Sequence, residues 1–119
     1  MSDLCTADDT IESCIIEISG ADFSLVIMAI YRPHSDSTVN FSNRLIELLN
    51  HRSLRNKSVV IVGDLNIDLL LERHHEFICS LQCMHFVSII SEPTRFPSLG
   101  GSLSATTPSL LDHIWIHFD

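Results

Sequence analysis

"SVVIVGDLNIDLL", residues 58–70, decides how the rest of this chain is read. Val59 to Gly63 carry no charge and are mostly branched, and then Asp64 and Asn66 follow at once. Four β-branched residues in a row predict a buried strand over Val59–Val62. A carboxylate and an amide two residues apart, where such a strand comes to the surface, fit either of two roles. One is a site at the carboxyl end of the strand, where α/β folds open their ligand crevice. There an aspartate can accept a proton, and an asparagine two positions on can hydrogen-bond on the same side. The other is a turn, because Gly-Asp-x-Asn is good turn chemistry in its own right.

Working outward, "CIIEI" (14–18) and "SLVIMAIY" (24–31) flank "SGAD" and predict a β-hairpin. The second segment hardly alternates, which predicts burial on both faces. Pro33 closes it, and Ser35, Asp36 or Ser37 can cap the helix expected over 38–50, where Phe41, Leu45, Leu48 and Leu49 fall at helical spacing. A second helix is expected over about 74–84, with Phe77, Ile78, Leu81 and Met84 inward. Short strands follow over 86–90 and 110–118, separated by a long Pro- and Gly-containing loop over 91–109. Helix, loop and strand in this order indicate an α/β fold. Residues 1–11 read as a polar amino-terminal segment and 12–119 as one domain.

The 15 acidic and 7 basic side chains give a net charge of -8, which disfavours non-specific binding to a phosphate backbone. No run approaches the ~18 apolar residues of a membrane span. "MSDLCTADDT" has neither the apolar core of a signal peptide nor the basic character of a transit sequence, so the expected location is intracellular, nuclear or cytoplasmic. Cys5, Cys14, Cys79 and Cys83 then read as free thiols of a reducing compartment. Cys79 and Cys83, with His75 one turn earlier, have the spacing to meet on a helix and hold a soft metal. Their spacing is not that of a zinc finger or ribbon, and free cysteines on a helix face are the plainer reading, so no metal ligand is assigned.

"IYRP" (30–33), "VVIVGDLNIDLL" (59–70), "EPTR" (92–95) and "SLLDHIW" (109–115) stand in the order seen in endonuclease domains of non-LTR retrotransposons. Over residues 12–118 the chain thus resembles the endonuclease/exonuclease/phosphatase superfamily. The resemblance implies a DNase I-like α/β sandwich, incomplete here, and metal-assisted hydrolysis of DNA phosphodiester bonds. It gives Asp64 the role of activating water and Asn66 that of orienting Asp64 and meeting the phosphate. Tyr31 matches the tyrosine that approaches the phosphate. Asp112 matches the carboxylate that orients a catalytic histidine. Thr94 and Arg95 match a segment near the substrate strand. Mg²⁺ is the implied cofactor and DNA the implied partner.

Taken one at a time, these residues have plainer readings. Tyr31 can be a strand-end tyrosine with its hydroxyl in water, Arg95 a solvated arginine and Asp112 a satisfied strand-end acid. The departures from the pattern also matter. The family's metal-binding Asn and Glu precede the Tyr-Arg-Pro element, and only thirty residues precede Tyr31 here. Its Ser-Asp-His motif lies well beyond the Ser-x-x-Asp element, whereas seven residues follow Asp112, and His113 and His117 are not in that motif. The expectation is a domain truncated at both ends and inactive as it stands. Two alternatives stay open: a non-catalytic module that binds a protein partner through exposed sheet edges, and a phosphatase or phosphodiesterase of the same superfamily.

Overall fold

The computed structural model describes residues 5–7, 10–33, 38–70, 76–94 and 110–118. The described residues form a mixed α/β fold: one six-stranded sheet and two α-helices. The strands are β1 (Thr6–Ala7), β2 (Glu12–Ser19), β3 (Ser24–Tyr31), β4 (Ser58–Asp64), β5 (Val87–Ser88) and β6 (Asp112–His117). The helices are α1 (Thr38–Leu49) and α2 (Glu76–Cys83), and a 3-10 turn at Arg52–Leu54 leads into β4. The sheet order is β1-β2-β3-β4-β6-β5. β2 and β3 form the expected hairpin, paired from Glu12↔Tyr31 to Ser19↔Ser24. β3 and β4 run parallel, which requires the crossover that α1 supplies. β6 then pairs antiparallel to β4, and β5 to β6.

The core lies on one face of the sheet. Val26, Met28 and Ile30 of β3 alternate inward with Val59 and Ile61 of β4 and Trp115 of β6. Phe41, Leu45 and Leu48 of α1, and Phe77, Ile78 and Leu81 of α2, belong to the same cluster. Phe41 and Phe77 meet with ring centroids 5.5 Å apart, joining the helices over the sheet. Ile11 is fully buried and Thr6–Ala7 pairs with β2, so residues ahead of Glu12 contribute to core and sheet.

β3 corrects one expectation. It is not buried on both faces: Val26, Met28 and Ile30 are buried, Ala29 and Tyr31 are exposed, and Leu25 and Ile27 are half-covered. Its second face is apolar yet carries no helix among the described residues. Lack of alternation recorded that both faces are apolar, and could not record that only one is covered. The registers place the residues of this open face in rows across β2, β3, β4 and β6. One row is Cys14, Ala29, Val62 and Ile114, and the next is Ile16, Ile27, Val60 and Ile116.

The strand expected over 86–90 narrows to Val87–Ser88, with Phe86 buried beside it, and the strand expected over 110–118 is Asp112–His117. In α2, Cys79 is half-buried, Cys83 is exposed and both are free thiols, while His74 and His75 lie outside the described residues. Among the described residues no helix is long and apolar enough to cross a membrane.

Candidate functional site

The end of β4 is held by its neighbours rather than by its own turn alone. Gly63 has φ +154°, and a Cβ built there would lie 1.7 Å from the carbonyl oxygen of Ile30 on β3. Glycine is therefore what lets β4 stay against β3 up to its last residue. Asn66 sits at φ 52°, in the left-handed region that asparagine tolerates better than most side chains. Its backbone N–H donates to Asp64 Oδ1 at 3.1 Å, closing an Asx turn.

Arg32 clamps that turn from the other side. It is only 6% exposed, and its Nε–H donates to the carbonyl of Leu65 at 2.6 Å. A second guanidinium N–H donates to the carbonyl of Asn66, and the Arg32 backbone N–H donates to the carbonyl of Asp64 at 3.1 Å. In return the Asn66 side-chain Nδ2 donates to the Arg32 carbonyl at 2.7 Å. A forked donor suits this task, because two successive carbonyls need two N–H groups at fixed separation.

The following loop is tied to the approach to β6. Leu65 and Leu69 donate their N–H groups to the carbonyls of Leu111 and Leu110, each at 3.0 Å. Asp68 Oδ1 accepts from Leu70 N at 3.1 Å and from Leu110 N at 3.0 Å. His113, buried within β6, donates from Nε2 to the Ile67 carbonyl at 2.8 Å and accepts at Nδ1 from the Trp115 indole at 3.0 Å. The indole can only donate, so the ring is the neutral tautomer with its proton on Nε2.

Burial holds the His113 pKa below its usual value, and the Ile67 carbonyl, Asp112 and Asp64 offset this only partly. A base with a depressed folded pKa binds fewer protons folded than unfolded. Its contribution to stability is present above the unfolded value of about 6.5 and is lost as pH falls toward the folded value. Chemical denaturation between pH 7.5 and 6 should show stability falling with pH, by at most about 1.4 kcal/mol per pH unit from this one group. The slope should be smaller in His113→Gln. An unchanged slope in that variant would remove His113 as its source.

The site residues expected from the sequence divide into those that meet and those that do not. Asp64 and Asp112 are directly opposed partners on β4 and β6. Tyr31 is the partner of Asp64 on the other side, and Glu12 is the partner of Tyr31. Glu12, Tyr31, Asp64 and Asp112 therefore form one row across four strands, on the open face and at the carboxyl ends of the parallel pair β3 and β4. Cα atoms opposed across an antiparallel pair lie about 4.5–5.5 Å apart, so Asp64 and Asp112 are close neighbours. Like charges so opposed are unfavourable for the sheet alone.

Thr94 joins this group, its Oγ1 accepting from the N–H groups of Leu111 and Asp112, each at 3.3 Å. Asn66 bonds Asp64 through its backbone, while its side-chain amide holds Arg32, and its Oδ1 is buried without a hydrogen bond. Arg95 lies outside the described residues. Sequence reasoning passed over Arg32, Asp68 and His113. Arg32 stands inside "YRP" and Asp68 continues the Asp-x-Asn-x-Asp spacing, so both had a local signal. His113 had none.

A groove of about 380 Å³ runs along the open face beside this row, lined by small residues such as Cys14, Ala29 and Gly63 together with Glu12 and Tyr31. A larger cavity of about 480 Å³ lies near α2, between Ile78, Phe86, Leu110 and Trp115, away from the acidic row. Among the described residues no three His, Cys, Asp or Glu side chains are placed to hold an ion. Mg²⁺ wants near-octahedral oxygen ligands, and two opposed carboxylates leave most positions to water and substrate phosphate. No family model matches this sequence, and no curated protein matches it.

Proposed function

We propose that this chain is an endonuclease-like domain of the kind carried by non-LTR retrotransposons. In this reading its fold is the DNase I-like sandwich in part, and its ancestral chemistry is metal-dependent hydrolysis of DNA phosphodiester bonds. One observation carries it: Tyr31, Asp64 and Asp112, three residues matched to that family from separate motifs, share one row and one face at the carboxyl ends of β3 and β4. Three polar groups from distant segments converge at one level of a sheet when a site is built there.

In this reading Asp64 takes a proton from water, held in place by the Asn66 turn and Arg32. Tyr31 supplies a hydroxyl to a phosphate oxygen, and Asp112 lies close enough to orient a base. The chain as it stands lacks partners for this work. No residue matches the family's metal-binding Glu, and none matches its Ser-Asp-His histidine. Electrostatic stabilisation by a fixed metal contributes several kcal/mol in such chemistry, and a general acid or base a further 10²–10⁴-fold, roughly. The net charge of -8 adds repulsion of DNA.

Purified residues 1–119 are therefore expected not to nick supercoiled plasmid above background with Mg²⁺ or Mn²⁺. Nicking that disappears in Asp64→Ala would contradict the loss of activity. The origin is tested separately by reading the frame on both sides of the coding sequence. An upstream segment with the Asn and Glu motifs, or a downstream reverse transcriptase, is expected, and unrelated flanks would defeat the assignment.

A second reading is favoured by the open apolar face: a module that acts by association.

A further inference from the structure

The face of the sheet opposite the helices is built like half of an interface. Its rows run from polar to apolar: Glu12, Tyr31, Asp64 and Asp112 at one end, then the Cys14 row, the Ile16 row, and Ile18, Leu25 and Ser58 at the other end. Ile16 and Ile18 are 53% and 45% exposed. Ile27, Val60, Val62, Ile114 and Ile116 are shielded only in part, as expected where lateral neighbours cover the flanks of a side chain and neither described helix covers its tip. A contiguous apolar surface of this extent is unusual on a monomer.

We infer that this face is covered by the same face of a second copy of the chain, giving an isologous dimer with the two sheets packed face to face. Three features select a second copy. The first is size. With strands about 4.8 Å apart and same-face residues about 6.7 Å apart, four strands and four rows give a flat footprint of about 500 Å² per copy, or about 1,000 Å² for two, before side-chain relief is counted. That reaches the lower bound of a specific interface.

The second feature is shape. A two-fold axis lying between the sheets, perpendicular to the strands, stacks each strand antiparallel on its own counterpart. The row of Cys14, Ala29, Val62 and Ile114 then faces the partner's row of Ile16, Ile27, Val60 and Ile116, and the converse holds by symmetry. On β2 and β3 the small Cys14 and Ala29 and the groove beside them receive isoleucines, while on β4 and β6 branched side chains meet branched side chains. The third feature is charge. The same axis sends the two acidic rows to opposite ends of the interface, each facing the partner's Ile18, Leu25 and Ser58 row. The alternative axis, along the strands, would stack carboxylate on carboxylate between two chains of charge -8. Each acidic row is left at the rim, bordering water.

This inference does not depend on the nuclease reading, since it is read from mass and cross-linking rather than from activity. Sedimentation equilibrium should give twice the chain mass of 13.4 kDa at micromolar concentrations, with association strengthened by added salt as repulsion is screened. Ile16→Lys and Ile27→Lys should each weaken the dimer about a hundredfold or more, because symmetry places each substitution in the interface twice. Val39→Lys, at an exposed position on α1, should leave it intact. A short bismaleimide should link two copies through Cys14, and Cys14→Ser should abolish that product while Cys5→Ser and Cys83→Ser do not. Circular dichroism of each variant separates lost association from lost fold. A monomer in the unmodified chain, a dimer indifferent to both face substitutions, or a cross-link that survives Cys14→Ser overturns the inference.

Discussion

Gly63→Ala should destabilise the chain severely. The added methyl group would lie 1.7 Å from the Ile30 carbonyl oxygen, and the atom it meets is backbone of a central strand, not the end of a flexible side chain. Relief requires β3 and β4 to separate at the level of Ile30 and Gly63, which are register partners. Separation there would disturb the next pair as well, Tyr31 and Asp64. The φ of +154° adds conformational strain for any L side chain. Overpacking of a well-packed site costs about 1–3 kcal/mol, and loss of strand pairing and backbone strain add to it, so a total of about 4 kcal/mol or more is expected. A domain with roughly 5–15 kcal/mol of stability does not tolerate that easily. Urea denaturation measures it directly. A midpoint within the error of the unmodified chain would mean that the sheet end yields at little cost, and the rigidity argued for Asp64 would go with it.

Arg32→Met should be the next most damaging change. Methionine keeps much of the apolar stem but provides no donors for the carbonyls of Leu65 and Asn66, which the guanidinium now serves. Leaving buried acceptors unsatisfied costs about 1–3 kcal/mol each, so a loss of about 2–4 kcal/mol is expected. Arg32→Lys should recover little, because an ammonium does not reproduce the fork. Hydrogen exchange distinguishes a local clamp from a general prop. Protection of the Leu65, Asn66 and Leu69 amides should fall further than that of Val26 and Met28 in the core. Equal losses throughout would show that Arg32 supports the fold without specifically holding the turn.

Much of the architecture could be read from local pattern. Branched residues on both sides of "SGAD" specify the hairpin, and the spacing of Phe41, Leu45, Leu48 and Leu49 specifies the face of α1 that meets the core. The end of β4 at Asp64 was legible because an uncharged branched run stops there. What sequence could not convey was which apolar face would be covered. Leu25, Ile27 and Val60 look like core residues by composition, but neither α1 nor α2 packs on their side of the sheet. The supporting polar groups were hidden for a different reason. Arg32, Asp68 and His113 act on partners 33, 42 and 46 residues away, and no local spacing reports a contact of that range. The convergence of Tyr31, Asp64 and Asp112 was legible only through the order of family-like motifs. Glu12, drawn into the same row by the hairpin register, carried no signal of its own.

The ties between the loop after β4 and the approach to β6 also bear on how quickly this molecule becomes itself. Asp68 with Leu110 and His113 with Ile67 close spans of 42 and 46 residues. The parallel pairing of β3 and β4 must likewise wait for the whole of α1 to cross over. Long spans lose chain entropy before their contacts begin to compensate, so high-contact-order sheets fold slowly and late. The hairpin and the helices can form from neighbouring residues, but the row containing Asp64 and Asp112 exists only once the most distant pairing has closed. Refolding kinetics followed at Trp115, which bonds His113 and packs at that junction, therefore time the arrival of the acidic row rather than collapse of the chain. Until that moment the apolar side chains of β3 and β4 lack the completed sheet that arranges them, and slow closure lengthens the interval in which the chain can aggregate.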